Sequence, residues 1–121
     1  MDTGSRLRLE VHNILYDVHK HGITFDKAFS KISNKNISSR DIAFINSVSL
    51  NTMRYTFHSK KILYKYVKKK PKTNEEILLC SAITQIVFLN FKDYAVINSS
   101  VEIAKKLKLF HGFINGCLRK I

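Results

Sequence analysis

His111, Asn115 and Arg119 stand at i, i+4 and i+8 near the C-terminus, with Gly112 and Gly116 beside them. On a helix this spacing lays an imidazole, a carboxamide and a guanidinium along one edge. All three groups exchange hydrogen bonds, and two residues without side chains let another backbone come close. The chemistry on offer is recognition rather than bond breaking. Towards the other end, Arg8, His12 and His19 fall together at the edge of an apolar stripe, with Tyr16 adjacent and Arg6 ahead of them. Guanidinium planes, imidazole and phenol rings stack on unpaired bases and bond to their edges. A metal reading of His12 and His19 lacks a third ligand, because no Cys, His or carboxylate is spaced to complete a tetrahedral set.

Catalytic arrangements are missing by the same standard. The four glycines are Gly4, Gly22, Gly112 and Gly116, and they form no Gly-x-Gly loop that would cradle a cofactor. No strained nucleophile turn joins a Ser to a His and an Asp. Cys80 and Cys117 are far apart and form no C-x-x-C, which points to free thiols in a reducing cytoplasm rather than a disulfide or zinc framework. Cys117 also falls on an apolar helical arc, where packing is its natural role. The expectation is a chain without metal or cofactor that is not an enzyme by itself.

Charge narrows the partner. Twenty-one Lys and Arg against nine Asp and Glu give a net charge of +12, and the cations cluster. Between Asp41 and Glu75 there is no acid, while Arg54, Lys60, Lys61, Lys65, Lys68, Lys69, Lys70 and Lys72 fall there. After Glu102 there is again none, and Lys105, Lys106, Lys108, Arg119 and Lys120 follow. A field of this sign attracts polyanions and speeds their association. Nucleic acid is the partner it favours. The rival reading is a protein-interaction module whose lysines only solubilise its surface, with Gly112 and Gly116 seating a partner helix or a second copy in a homodimer.

The elements that must position these groups are helical. With 121 residues, of which 45% are apolar, one domain spanning 1–121 can bury a real core. No window reaches the roughly 18 uninterrupted apolar residues of a membrane span, and the first residues lack the apolar stretch of a secretion signal. About seven helices can be drawn from 3.6-residue periodicity. The first runs from Ser5 to His21, with Leu7, Val11, Ile14, Leu15 and Val18 on one stripe and Gly22 as its stop. A short second spans Phe25 to Ile32, and Ser33-Asn34-Lys35-Asn36 reads as a turn. Ser38-Ser39-Arg40-Asp41 caps a third helix carrying Ile42, Ile45 and Val48.

A break near His58-Ser59 separates a fourth helix, with Ile62, Leu63, Tyr66 and Val67 on one side and Lys60, Lys61, Lys65, Lys68 and Lys69 on the other. It ends before Pro71. Thr73-Asn74-Glu75-Glu76 opens a fifth as a capping box, and its apolar run from Ile77 to Leu89 marks the central buried helix. Val87-Phe88-Leu89 is open to a strand reading. In the sixth, Ile97, Val101 and Ala104 form the buried stripe. The seventh gathers Phe110, Phe113, Ile114, Cys117, Leu118 and Ile121 into one apolar arc.

Several segments carry a resemblance. Val96-Ile97-Asn98, Val101-Glu102-Ile103-Ala104-Lys105 and His111-x-Phe113-Ile114-Asn115-Gly116-x-Leu118-Arg119 resemble the closing helices of the NusB family. Ser39-Arg40-Asp41-x-x-Phe44-Ile45, Met53-Arg54-Tyr55, Lys70-Pro71 and Gln85-Ile86-x-Phe88-Leu89 extend the likeness, which runs from Arg6 to Ile121. The resemblance implies an all-α, compact NusB-like bundle that binds RNA, ribosomal RNA in the first instance. In that family the basic start of the first helix belongs to the RNA site, which Arg6 and Arg8 carry over. Together with the residue reading, the expected RNA-binding set is Arg6, Arg8, His12, Lys105, Lys108, His111, Asn115 and Arg119.

Met53-Arg54-Tyr55 and Leu118-Arg119 look like the branch that forms the N-terminal domain of RsmB-type rRNA cytosine-5 methyltransferases. The partner there would be a C-terminal methyltransferase domain. The other setting is a stand-alone antitermination factor that pairs with a ribosomal protein. The chain departs from the family pattern at Phe91-Lys92-Asp93, where an Ile-Pro-Pro-like turn is usual. It departs again at Cys80, where Arg is common, and at Ser99, which replaces a frequent Glu.

Overall fold

A computed structural model describes residues 1–34 and 36–121, so Lys35, part of the turn expected at 33–36, lies outside the described residues. Six α-helices form the described chain: α1 (Thr3–His21), α2 (Phe25–Ser30), α3 (Ser39–Leu63), α4 (Thr73–Ile83), α5 (Asp93–Lys106) and α6 (His111–Lys120). Helix α2 runs into a 3-10 turn, Lys31–Asn34, and α4 widens into a π turn, Thr84–Phe88. Val87 and Phe88 are therefore helical, and no strand occurs among the described residues.

Local chemistry fixes the ends. Asp2 accepts from the Ser5 amide at 2.7 Å and opens α1, and Gly22 closes it in the left-handed region with φ at 65°. Thr24 and Ser38 accept from the amides of Lys27 and Asp41, each at 3.2 Å, and open α2 and α3. The start of α4 is shifted by one residue from the sequence expectation. Lys72 is its N-cap, and the Glu75 carboxylate accepts from the Lys72 amide at 3.4 Å, which supplies the acidic half of a capping box.

The expected break at His58-Ser59 does not exist. Helix α3 runs through it for 25 residues, because Ser59 turns inward and its hydroxyl meets that of Thr84 on the π turn at 3.0 Å. A polar residue paired in the interior does not interrupt a helix. Six helices therefore stand where about seven were expected. Lys65, Lys68 and Lys69 sit on turns and bends after α3 rather than on a helical face.

Helix α4 is the centre, as its apolar run implied. It packs on α1, α3, α5 and α6, with Leu79 and Ile83 fully buried. Burial of each such side chain contributes roughly 1.5–3 kcal/mol. One apolar cluster joins Leu63, α4, α5 and α6, another joins α1, α2 and α3, and Phe91 packs against both. The stripe of α5 is rotated by one residue from expectation. Val96, Ser99, Ser100, Ile103 and Ala104 are buried, while Ile97 and Val101 flank them half-buried. In α6, Ile114, Cys117 and Leu118 are buried, whereas Phe110 caps the helix and is 71% exposed.

Candidate nucleic-acid interface

The fold joins basic segments that are far apart in sequence. Arg6 at the start of α1 and Lys106 at the end of α5 line one cleft of about 630 Å³, which Glu10 and Asp41 also border. Lys105 and Lys108 are exposed nearby in sequence, and His111 begins α6 just beyond them, also exposed. Lys108 holds a left-handed backbone with φ at 58°, which closes α5 as Leu109 donates to the Ala104 carbonyl at 2.8 Å. A side chain other than glycine in that conformation costs about 1 kcal/mol. Among the described residues, ion pairs join Lys31 to Asp17 at 3.0 Å and Lys60 to Glu76 at 3.7 Å, and none engages Arg6, Lys105, Lys108 or Arg119.

From His111 the expected ladder runs along α6. Asn115 and Arg119 reach a second cleft, of about 580 Å³, between the start of α5 and the end of α6. Among the described residues no hydrogen bond occupies the side chains of His111, Asn115 or Arg119. Both Gly112 and Gly116 face open space, since a Cβ at either would meet nothing within 4 Å. The same cleft is lined by Tyr94 and Asn98, which the sequence reading passed over. Their i, i+4 spacing beside Ile97 and Val101 was the available signal.

Two of the expected contacts lie elsewhere. His12 is 2% exposed, and its Nε2 meets Asn74 Oδ1 at 2.5 Å, so it has almost no surface to offer a ligand. Arg8 is half-buried and tied inward. Its Nε donates to Gln85 at 2.6 Å, its Nη1 donates to Ser99 at 3.2 Å, and its guanidinium lies 5.5 Å from the Phe44 ring centre. Ser99, one of the departures from the family pattern, also accepts from the Ser5 hydroxyl at 3.0 Å. The physical reason is that α1 packs against α2, α3, α4 and α5, so residues at the edge of its stripe are enclosed. His19 stays exposed.

Neither thiol is poised for chemistry. Cys80 and Cys117 are free and buried, and burial, with Glu76 close to Cys80, pushes the Cys80 thiol up to about 12. Burial also raises the thiol of Cys117. Among the described residues no three His, Cys, Asp or Glu side chains stand together as metal ligands, and no helix is long and apolar enough to cross a membrane.

An all-helical bundle with a basic end and an unpaired polar edge is the class that fold and surface define. The chain belongs to the NusB family, whose sequence profile matches residues 5–121. In solved structures it is similar to a chain in a crystal structure of the antitermination factors NusB and NusE in complex with dsRNA. That likeness has 20% identity and a TM-score of 0.85, and it covers 96% of this chain and 92% of that one. It is also similar, at 20% identity and a TM-score of 0.89, to a chain in a crystal structure of a plectonemic RNA supercoil, with 99% and 94% covered. No curated protein shows significant sequence similarity to the chain.

Proposed function

We propose that this chain, acting as one domain over residues 1–121, binds RNA without catalysing a reaction. The observation that carries the reading is the set Arg6, Lys105, Lys108, His111, Asn115 and Arg119, exposed or half-exposed along one end of the bundle and down α6. Among the described residues none of their side chains is in an ion pair, and only Arg6 is hydrogen-bonded, to the Thr3 hydroxyl at 3.4 Å. Cations at the α1–α5 end attract phosphates, and the α6 edge reads sugars and bases. Arg8 and His12 support this surface from within and do not contact RNA. Family membership and the RNA-containing structures of the same fold support the reading.

Ribosomal RNA is the proposed target. The two settings are the recognition domain of an RsmB-type methyltransferase, favoured by Met53-Arg54-Tyr55 and Leu118-Arg119, and a stand-alone factor working with a ribosomal protein, favoured by the NusE-bound relative.

The test sets Arg119 against Lys68. Arg119 has a planar fork in a cleft with Asn115, and Lys68 is an exposed cation on a bend. Arg119→Ala is expected to cost more than about 1 kcal/mol of affinity for ribosomal RNA in a mobility-shift titration, and Arg119→Lys to restore only part of it. Lys68→Ala is expected to cost a few tenths of a kcal/mol, as a diffuse phosphate contact does. Equal losses would leave general charge as the whole explanation. Binding no better than to a scrambled competitor would remove ribosomal RNA as the target.

A further inference from the structure

The cleft between the start of α5 and the end of α6 holds more than the α6 edge needs. It is a half-open cleft of about 580 Å³, roomy enough for one nucleotide-sized group. Ile97, Val101 and Leu118 give it an apolar floor, and Asp93, Asn98, Asn115 and Arg119 supply polar groups. Tyr94 stands at its side, 69% exposed, and among the described residues its ring stacks on no other. An open aromatic ring of this kind presents a face on which a flat group can stack. The Asn98 and Asn115 carboxamides each offer a donor pair and an acceptor, and no hydrogen bond within the described protein occupies them. Asp93 accepts from the Tyr94 amide at 2.7 Å through one oxygen. Its other oxygen is an acceptor, which suits an amino group and repels a phosphate.

We infer that this cleft receives one unpaired nucleotide of a single-stranded RNA, with the base on the Tyr94 ring, its edge on Asn98 and Asn115, and its phosphate on Arg119. The inference rests on the RNA reading above and specifies what one part of that surface takes. Stacking on an aromatic ring is tolerant of base identity, and splayed-out bases of single strands are what proteins recognise through such contacts. Paired bases are held in the helix and cannot enter. Adenine and cytosine, with exocyclic amino groups for Asp93, are the bases the polar rim fits.

The chain has no tryptophan, so Tyr94→Trp installs a single reporter in the cleft. The probes are a short strand of alternating A and C, which cannot pair with itself, the same strand annealed to its complement, and free AMP and CMP. Anisotropy of the labelled RNAs measures affinity, and emission of the Tyr94→Trp protein reports stacking. The expected result is quenching by the single strand, and about a tenfold loss of single-strand affinity in Tyr94→Ala and in Asn98→Ala. Duplex affinity should stay within about twofold in both variants. Both positions are exposed, so the variants should keep the wild-type helical content by circular dichroism.

Unchanged emission, together with undiminished single-strand affinity in Tyr94→Ala, would overturn the inference and leave the RNA reading standing. No binding of either labelled RNA to the wild type would overturn both. Quenching by free AMP or CMP at concentrations where the strand gives none would assign the cleft to a free nucleotide and overturn the strand.

Discussion

His12 shows how a residue chosen for recognition becomes one that reports on folding. Its Nε2 donates to Asn74, which leaves Nδ1 as a buried acceptor with no partner, so the ring is neutral in the folded chain. Burial holds its pKa below the ordinary 6.5, and the Asn74 contact opposes that shift only in part. The unfolded chain therefore takes up a proton near pH 6.5 where the folded chain does not. The stability this confers is complete above that pH and is lost as pH falls towards the lowered folded value. Urea denaturation between about pH 8 and pH 5 should show stability declining in that window, and His12→Gln, which keeps a donor for Asn74, should flatten the decline. Lys108 trades in the opposite direction. Lys108→Gly should raise stability by about 1 kcal/mol by relieving the left-handed backbone, while weakening RNA binding through the lost cation. If the variant gains stability and loses no affinity, Lys108 has no part in the interface.

At the scale of elements, periodicity carried most of the fold. Gly22 as a stop, Ser38 as a cap and α4 as the central helix were all legible, because capping and a continuous apolar run are local signals. What was illegible depended on neighbours. Ser59 reads as a breaker until Thr84 is beside it, and Arg8 and His12 read as surface until four other helices close around α1. Phe110 reads as core, yet it stands at the N-cap of α6, before the helix begins, and so lies outside. The two unstrained or strained glycines make a clean pair of tests. Gly22→Ala should destabilise by about 1 kcal/mol, since φ is 65° and no atom lies near the new Cβ, so the whole effect is backbone conformation. Gly116→Ala should stabilise α6 by roughly 0.5–1 kcal/mol, because it too meets open space but on a helix. If α6 is approached closely by RNA, that same variant binds RNA less tightly although it is more stable. Thermal melts and one RNA titration decide between these outcomes.

Over the whole molecule, a net charge of +12 was readable at once, but the placement of the charge was not. The Lys run after Asp41 looked like a helical face and is instead split between the end of α3 and the turns that follow it. The sparser cations of both termini, by contrast, are gathered because the start of α1 and the end of α5 share a cleft. Arg6 and Lys106 line that cleft, Lys105 and Lys108 are exposed beside Lys106 in sequence, and Arg119 and Lys120 are exposed on α6, so about six phosphates of a single strand could be neutralised at once. Release of their counterions gives a slope of roughly −4 in log affinity against log salt. Removing Lys105 and Lys108 together should make that slope shallower by about 1.4, since each single-strand contact contributes roughly 0.7. Removing Lys68 and Lys69 should make it shallower by less than that, because those lysines lie on the bend after α3 and act only as diffuse phosphate contacts. Anisotropy titrations at several salt concentrations measure both. Equal changes in the two double variants would mean the field of the whole chain holds the strand, with no preferred face. A flat slope in the wild type would return all of these lysines to the role of solubilising a protein-interaction module.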